Sequence, residues 1–236
     1  MIRASYLMPM IFGFMLLTGS VAVPAQSDGM SREPSTITAE ERALSRYHAG
    51  ERALDAGDLS RAATKFREAL SLDRGLLSAR RSYARILMVT RRPERAQDVL
   101  LEGLALAPGD LPTARMLARI ARANNDAATA IEALESIRPP AESSETHLRS
   151  HLADLYRRTE QYDQAANVYA ELRRAEPDAA AWILGEAICH DRRGAVESAH
   201  KAWGALLESE SLDERVRRYA RQRQTALRDE TVPYGS

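Results

Sequence analysis

Small and large apolar side chains recur along the chain with a period of about 34 residues. Alanine marks one place in each period, and successive alanines lie 34, 34, 35 and 34 residues apart: Ala62, Ala96, Ala130, Ala165 and Ala199. Four residues after each comes a large side chain: Phe66, Leu100, Leu134, Tyr169 and Trp203. Twelve residues before each comes a small one: Gly50, Ala84, Ala118, Ala153 and Ala187. Three matched positions in five units indicate an internal repeat.

This pattern predicts a pair of antiparallel helices, A and B, in each unit. Small residues let the two backbones approach, and the large residue fills the space beside them. One pair cannot bury its own apolar face, so the units must stack. We therefore predict an all-α helix-turn-helix solenoid of about five repeats over residues 38–211, with units that start near residues 43, 77, 111, 146 and 180.

The ends of the predicted array carry their own signals. Thr38 and Glu41 have the spacing of a capping box, which predicts where the first helix begins. Residues 212–228 are polar with a sparse apolar stripe, and we predict a capping helix that covers the last unit. The stripe consists of Leu212, Val216, Tyr219 and Leu227. Residues 229–236 are predicted to be a tail.

A repeat of about 34 residues, small at its eighth and twentieth places and bulky at its twenty-fourth, resembles the tetratricopeptide repeat (TPR). The resemblance covers residues 43 to 211 and implies a scaffold that binds a protein or peptide, without a reaction of its own. Arg74 and Glu142 depart from it, because a proline commonly ends the unit there. The link "IRPPAESSET" adds one residue after the third unit, which predicts looser stacking at that point.

The last two units resemble a narrower group, the TPR proteins of MSHA-type (type IV) pilus biogenesis. The resemblance rests on a Trp-x-x-Gly-x-Ala phrase after a proline-terminated unit, here Trp182, Gly185 and Ala187. It covers about 60 residues, many of them common to all TPR units. It implies a role in pilus assembly, although the longer proline-rich linker usual in that group is missing.

The first 25 residues read as an export signal. Arg3 precedes an apolar run over residues 6–23, and the run ends in Val23-Pro24-Ala25, which suits cleavage after Ala25. An uncleaved membrane anchor is the alternative, since the run approaches the length of a spanning helix. Both versions predict an exported, periplasmic protein, either soluble or anchored in the inner membrane, with residues 26–37 as a flexible tether.

The 33 basic and 33 acidic residues cancel, so net charge offers no argument for a nucleic-acid partner. Their distribution is more informative. The resemblance implies that helix A lines a concave groove, chiefly through places 2, 5, 9, 12 and 13 of each unit. Seven arginines fall on those places: Arg81, Arg85, Arg115, Arg119, Arg122, Arg157 and Arg158. Acidic residues fall on helix B: Glu94, Asp98, Glu102, Glu132, Glu135 and Glu171.

Two interpretations of the arginines remain open. Arginines four apart on a helix can grip carboxylates in bidentate fashion, which predicts a groove for an acidic segment. The alternative is an ordinary solvated surface in an arginine-rich chain, since only two of the basic residues are lysine.

The sequence contains no Walker A loop, dinucleotide glycine loop, His-Glu-x-x-His, Gly-x-Ser-x-Gly or Cys-x-x-Cys motif. His147 and His151 are four apart and could share a helix face, but no third metal ligand is placed beside them. Cys189 is followed by His190, which points about 100° away on a helix, so Cys189 is predicted to pack in the core. We predict no catalytic residue, no metal and no cofactor.

Three functions follow as hypotheses. The first is an exported adaptor that holds an acidic or extended segment of a cell-envelope protein in its groove, as in pilus biogenesis or secretion. The second is a cell-wall or polysaccharide-export accessory protein that uses its convex face or the edges of its units. The third is an enzyme built on Cys189 or on the histidine pair.

Overall fold

The computed structural model describes residues 38–137, 146–210 and 212–231. Within these ranges the chain forms eleven α-helices and no strand. The helices are α1 (Ala39–Asp55), α2 (Leu59–Leu72), α3 (Leu77–Val89), α4 (Pro93–Leu106), α5 (Leu111–Ala123), α6 (Ala127–Ile137), α7 (Thr146–Arg158), α8 (Tyr162–Ala175), α9 (Ala180–Arg192), α10 (Val196–Leu207) and α11 (Glu214–Thr231).

Consecutive helices pair into five repeats, α1 with α2 through to α9 with α10, and the second helix of each repeat also packs on the first helix of the next repeat. The last helix, α11, packs on α10. The predicted all-α solenoid is therefore confirmed. Four A helices begin at the residues from which the repeats were counted, and α1 begins at Ala39, four residues before Ala43.

The first helix begins where it does because Thr38 satisfies its free amides. The Thr38 hydroxyl accepts a hydrogen bond from the Glu41 amide at 3.1 Å, and the Glu41 carboxylate accepts one from the Thr38 amide at 2.8 Å. This is the predicted capping box. Asp58 and Asp110 cap α2 and α5 more simply: one carboxylate oxygen of each accepts a hydrogen bond from a backbone amide, that of Arg61 and that of Thr113.

The core consists of the small and large residues that define the repeat. The five repeating alanines are fully buried, and so are Phe66, Leu100 and Trp203. Two positions in the core require glycine, because a larger side chain would collide with a neighbouring aromatic ring. A Cβ atom on Gly50 would lie 2.5 Å from Phe66, and one on Gly185 would lie 2.5 Å from Tyr169.

Each turn between helix A and helix B contains one residue in the left-handed region. These are Gly57, Arg91, Asn125, Glu160 and Gly194, with φ between 56° and 76°. Glycine adopts this conformation without strain, whereas Arg91 and Glu160 do so at a cost. Nothing in the local sequence signals a left-handed residue at those two positions.

An ion pair joins helix A to helix B in three repeats, always between residues 22 apart. Arg46 pairs with Glu68 at 3.4 Å, Arg80 with Glu102 at 2.9 Å, and Arg149 with Glu171. The Glu135 carboxylate also accepts a hydrogen bond from the Tyr156 hydroxyl. Three of the six helix-B acidic residues noted in the sequence therefore have contacts within the fold: Glu102, Glu135 and Glu171.

Several predictions concern residues outside the described ranges: the signal or anchor over 1–25, its apolar run 6–23 and the tether 26–37. Among the described residues no helix is long and apolar enough to cross a membrane. The added residue after the third repeat also lies in an undescribed link, 138–145. The flanking helix α6 is the shortest of the described helices, and looser stacking at this link stays a prediction.

Candidate functional site

A cavity of about 430 Å³ opens between α3, α5 and α7. Five arginines line it, two from α3 and three from α5: Arg81, Arg85, Arg115, Arg119 and Arg122. The repeat geometry brings them together because equivalent places on neighbouring A helices face the same side of the stack. Five of the seven arginines that the sequence predicted for a groove thus share one cavity.

The arginines of this cavity differ in their partners. Arg81 donates to the Asp110 carboxylate at 3.0 Å and to the Thr113 hydroxyl at 3.2 Å, so its charge is partly neutralised. Arg85, Arg119 and Arg122 are exposed and form no ion pair with any residue that the structure describes. These three side chains are available to an anionic ligand.

The floor of the cavity is apolar. Leu134 from α6 and Leu148 and Leu155 from α7 line it, together with Met116 and Ala118 from α5. All five are more than nine-tenths buried, so their contribution is a narrow surface at the bottom of the cavity. The site therefore combines a cationic rim with an apolar floor.

Two histidines form the α7 side of the cavity. The rings of His147 and His151 meet edge to face, with centroids 6.1 Å apart. His151 is exposed on the cavity wall, and its pKa lies below its ordinary value because partial desolvation, then the Arg122 guanidinium and His147, disfavour its protonation, while Asp154 opposes them. A neutral imidazole can accept or donate a hydrogen bond to a ligand.

The surroundings of this histidine pair do not favour a metal ion. Five guanidinium groups line the same cavity and repel a cation. Within the described ranges no group of three or more His, Cys, Asp or Glu side chains is arranged to hold a metal. The pair is better suited to an anionic ligand.

Arg157 and Arg158 lie apart from this cavity. Arg157 pairs with Asp154 at 2.5 Å and lines a different cavity of about 330 Å³, next to Glu160 and Asp191. Arg158 is exposed on the last turn of α7 and does not line the arginine cavity. The predicted arginine stripe thus continues through repeats two and three and is interrupted at repeat four.

Cys189 lies in the hydrophobic core and is fully buried. Burial raises the pKa of its thiol to about 11, although Arg157 and Arg193 act in the opposite direction. A nucleophilic cysteine needs an accessible thiolate near neutral pH. His190 instead faces Glu186, 3.5 Å away. The geometry therefore argues against a cysteine-dependent enzyme, and the predicted core role of Cys189 agrees with its burial.

The two tryptophans also have packing roles. Trp203 is fully buried and meets Tyr219 of α11 edge to face at 5.5 Å. Trp182 packs against the core cluster of the preceding repeats, and its indole Nε1 donates to Glu176 at 2.9 Å. Gly185, three residues later, accommodates the ring of Tyr169. The Trp-x-x-Gly-x-Ala phrase therefore stabilises the junction between repeats four and five.

Sequence reasoning missed the apolar floor and the placement of the histidines. His147 occupies place 2 of its unit, so the counting rule includes it, whereas His151 occupies place 6, which the rule leaves out. The repeat pattern could not predict the apolar floor, because Leu148 and Leu155 lie at ordinary core positions of the unit. Their position beside a cavity depends on how neighbouring repeats stack, which the residue pattern does not show.

Two family models, both described as tetratricopeptide repeat, match residues 53–120 and 151–213. Together they cover more than half of the chain, in agreement with the repeat geometry. The chain belongs to the tetratricopeptide repeat family. Among curated proteins none matches this TPR chain.

Solved structures show the same fold. The structure of YrrB, described as a TPR protein with an unusual peptide-binding site, is 15% identical, with a TM-score of 0.53 over 76% of this chain and 92% of that chain. A structure of MamA, described as MamA AMB-1, is 17% identical, with a TM-score of 0.51 over 74% of this chain and 96% of that chain. At these identities the likeness concerns the fold alone.

Proposed function

We propose that this TPR protein is a non-catalytic interaction scaffold, and that the groove between α3, α5 and α7 binds an acidic, extended segment of a protein partner. The observation that carries the proposal is the cluster of five arginines around one cavity, three of them without an ion-pair partner among the described residues. Like charges held close together repel one another, and an anionic ligand relieves that repulsion.

The fold supports a peptide as the ligand. Stacked helix pairs form an extended surface that suits a linear segment, and peptide binding is named for YrrB, one of the similar structures. Guanidinium groups recognise carboxylates through paired hydrogen bonds, which gives both affinity and orientation. Because the rim is exposed, binding should weaken as salt concentration rises.

We further propose that the scaffold works in the cell envelope, in pilus biogenesis or secretion. Support comes from the N-terminal sequence, where Arg3, the apolar run 6–23 and the small residues before Ala25 have the order of an export signal. The pilus resemblance adds less, since Gly185 is explained by its packing against Tyr169. Mass spectrometry of the mature N-terminus tests export, and an intact Met1 with no membrane association contradicts it.

Charge reversal tests the groove. Arg85→Glu combined with Arg119→Glu should reduce binding of an acidic partner by at least about a hundredfold, since each charge-assisted contact contributes about 1.5–3 kcal/mol. The matched control is Arg218→Glu with Arg221→Glu, which makes the same charge change on the exposed face of α11. Partners are captured by crosslinking and pull-down from intact envelopes. Equal capture by the groove variant and the control contradicts the proposal.

A further inference from the structure

The narrow apolar floor of the groove would have no apolar partner in a purely acidic ligand. Leu134, Leu148 and Leu155 are between 1% and 4% exposed, and all three line the cavity that the arginines surround. A carboxylate at the floor would lose its water and gain only apolar neighbours, which is unfavourable. The arginines above are where its charge is stabilised. The floor therefore fits a part of the ligand that is itself apolar.

The two sides of this floor differ in their chemistry. Arg115, Arg119 and Arg122 follow one face of α5 at intervals of four and three residues, and Arg85 faces them from α3. His147 and His151 lie on the opposite side, on α7. A segment that crosses the cavity would thus meet cations along one side and the imidazoles along the other, with the floor beneath its middle.

The position of the floor follows from the stacking of the repeats. Leu134 of α6 lines the cavity together with Leu148 and Leu155 of α7, so the floor lies at the junction of repeats three and four. The volume, about 430 Å³, lies within the range of small ligand sites, roughly 300–1,000 Å³. It can hold one large side chain together with the adjoining backbone of an extended segment.

We propose that the ligand is an acidic segment with one large aliphatic or aromatic side chain, which inserts between α5 and α7 while flanking carboxylates contact Arg85, Arg119 and Arg122. This inference rests on the proposed function and makes it more specific. The apolar residue sets the register of the segment, and the carboxylates determine its charge dependence. A segment of the same charge without the apolar residue binds weakly.

Two synthetic peptides test the inference with the full chain. One alternates Glu and Ser around a single central Leu, and the other has Ala in place of that Leu. Affinities are measured by isothermal titration calorimetry at low salt. The Leu peptide should bind about tenfold more tightly or better, since each buried methylene contributes about 0.8 kcal/mol.

A protein variant locates the contact. Met116→Ala removes floor surface and should reduce the preference for Leu over Ala to a few-fold. Met88→Ala is the matched control, because Met88 packs against the same core cluster but does not line the cavity. It should keep the preference. Circular dichroism checks that both variants fold. If Met116→Ala does not fold, the comparison of the two peptides on the unmodified protein still tests the apolar anchor.

The outcomes separate the two proposals. Equal affinity for the Leu and Ala peptides overturns the apolar anchor and leaves the cationic groove in place. A Leu preference that Met116→Ala and Met88→Ala reduce equally also overturns it. Failure of both peptides to bind, at any salt concentration, overturns the acidic-segment groove and the anchor together.

Discussion

Arginine has different surroundings in the groove and in the C-terminal part of the molecule. In the C-terminal part, Arg223 of α11 binds Asp191 of α9 through two hydrogen bonds of 2.8 and 2.6 Å. Arg173 likewise pairs with Glu186 at 3.0 Å. In the groove, Arg85 and Arg119 have no such partner among the described residues. Arginine therefore stabilises the fold in the C-terminal part and remains available to a ligand in the groove.

The difference comes from the acidic residues that alternate with the arginines on helix A. Place 9 holds Arg85 in repeat two and Arg119 in repeat three, but Asp154 in repeat four. Place 12 holds Arg122 in repeat three and Asp191 in repeat five. Repeat one also has a carboxylate at place 9, Glu51, and from repeat four onward such carboxylates pair with the arginines nearby. The cationic character is confined to the middle repeats.

The largest effect should come from Gly185→Ala, which tests whether the C-terminal part is held by packing. The new Cβ atom would lie 2.5 Å from the buried ring of Tyr169, so we expect a loss of about 2–3 kcal/mol in the free energy of unfolding. Gly204→Ala is the matched control, because its Cβ atom would meet only the end of the flexible Gln224 side chain. Urea denaturation measures both, and equal losses would contradict the packing explanation.

The next effect distinguishes the paired arginines from those of the groove. Arg223→Ala leaves the partly buried Asp191 without its guanidinium, and we expect a loss of about 1–3 kcal/mol in the free energy of unfolding. Arg119→Ala should change it by less than about 0.5 kcal/mol, since Arg119 is an exposed surface residue. Thermal and urea unfolding of the two variants make the comparison. A larger loss for Arg119→Ala would show that the groove arginines are structural.

A change of pH should have a smaller effect on the free energy of unfolding and on peptide binding. Since the pKa of His151 is lower in the folded protein than in the unfolded chain, the free energy of unfolding should fall as pH drops through the ordinary histidine range, near about 6.5. A bound carboxylate has the opposite influence, because it raises that pKa. Binding of an acidic peptide should therefore tighten as pH falls, by up to about tenfold for each unit by which the ligand raises the pKa.

The substitution His151→Asn should remove most of this pH dependence of binding. His48→Asn on α1 is the control, because His48 lies outside the groove and pairs with Glu51. Calorimetric titrations between about pH 7.5 and 5.5 give the measurement, since histidines titrate there. Affinity that rises equally in the two variants would place the titrating group elsewhere.

The smallest effect concerns the turns. Repeat two holds Arg91 in the left-handed region, where repeat five has Gly194. Relief of the strain should make Arg91→Gly about 0.5 kcal/mol more stable, since the added freedom of glycine in the unfolded chain offsets part of the gain. Gly194→Ala should cost about 1 kcal/mol. Differential scanning calorimetry resolves both, and a destabilised Arg91→Gly would show that the Arg91 side chain has a contact that outweighs the strain.

Much of the fold could be predicted from the sequence because small and large residues recur at fixed positions in each repeat. Ala62 and Phe66, with their equivalents in the other four units, mark where helices approach and what fills the space between them. The site could be predicted only in part. Counting positions within each repeat predicts Arg85 and Arg119 for the groove, and both line the cavity between α3, α5 and α7. Arg157 also occupies a predicted groove position, but it pairs with Asp154 and lines a different cavity.

The sequence by itself determined the repeated helix pairs, the first helix cap at Thr38 and the row of arginines on helix A, since these depend on local spacing and side-chain size. Tertiary structure decided which arginines meet and which are neutralised, because ion pairs such as Arg223 with Asp191 join residues 32 apart on different helices. It also decided the cavity, whose narrow apolar floor brings Leu134 of α6 together with Leu148 and Leu155 of α7.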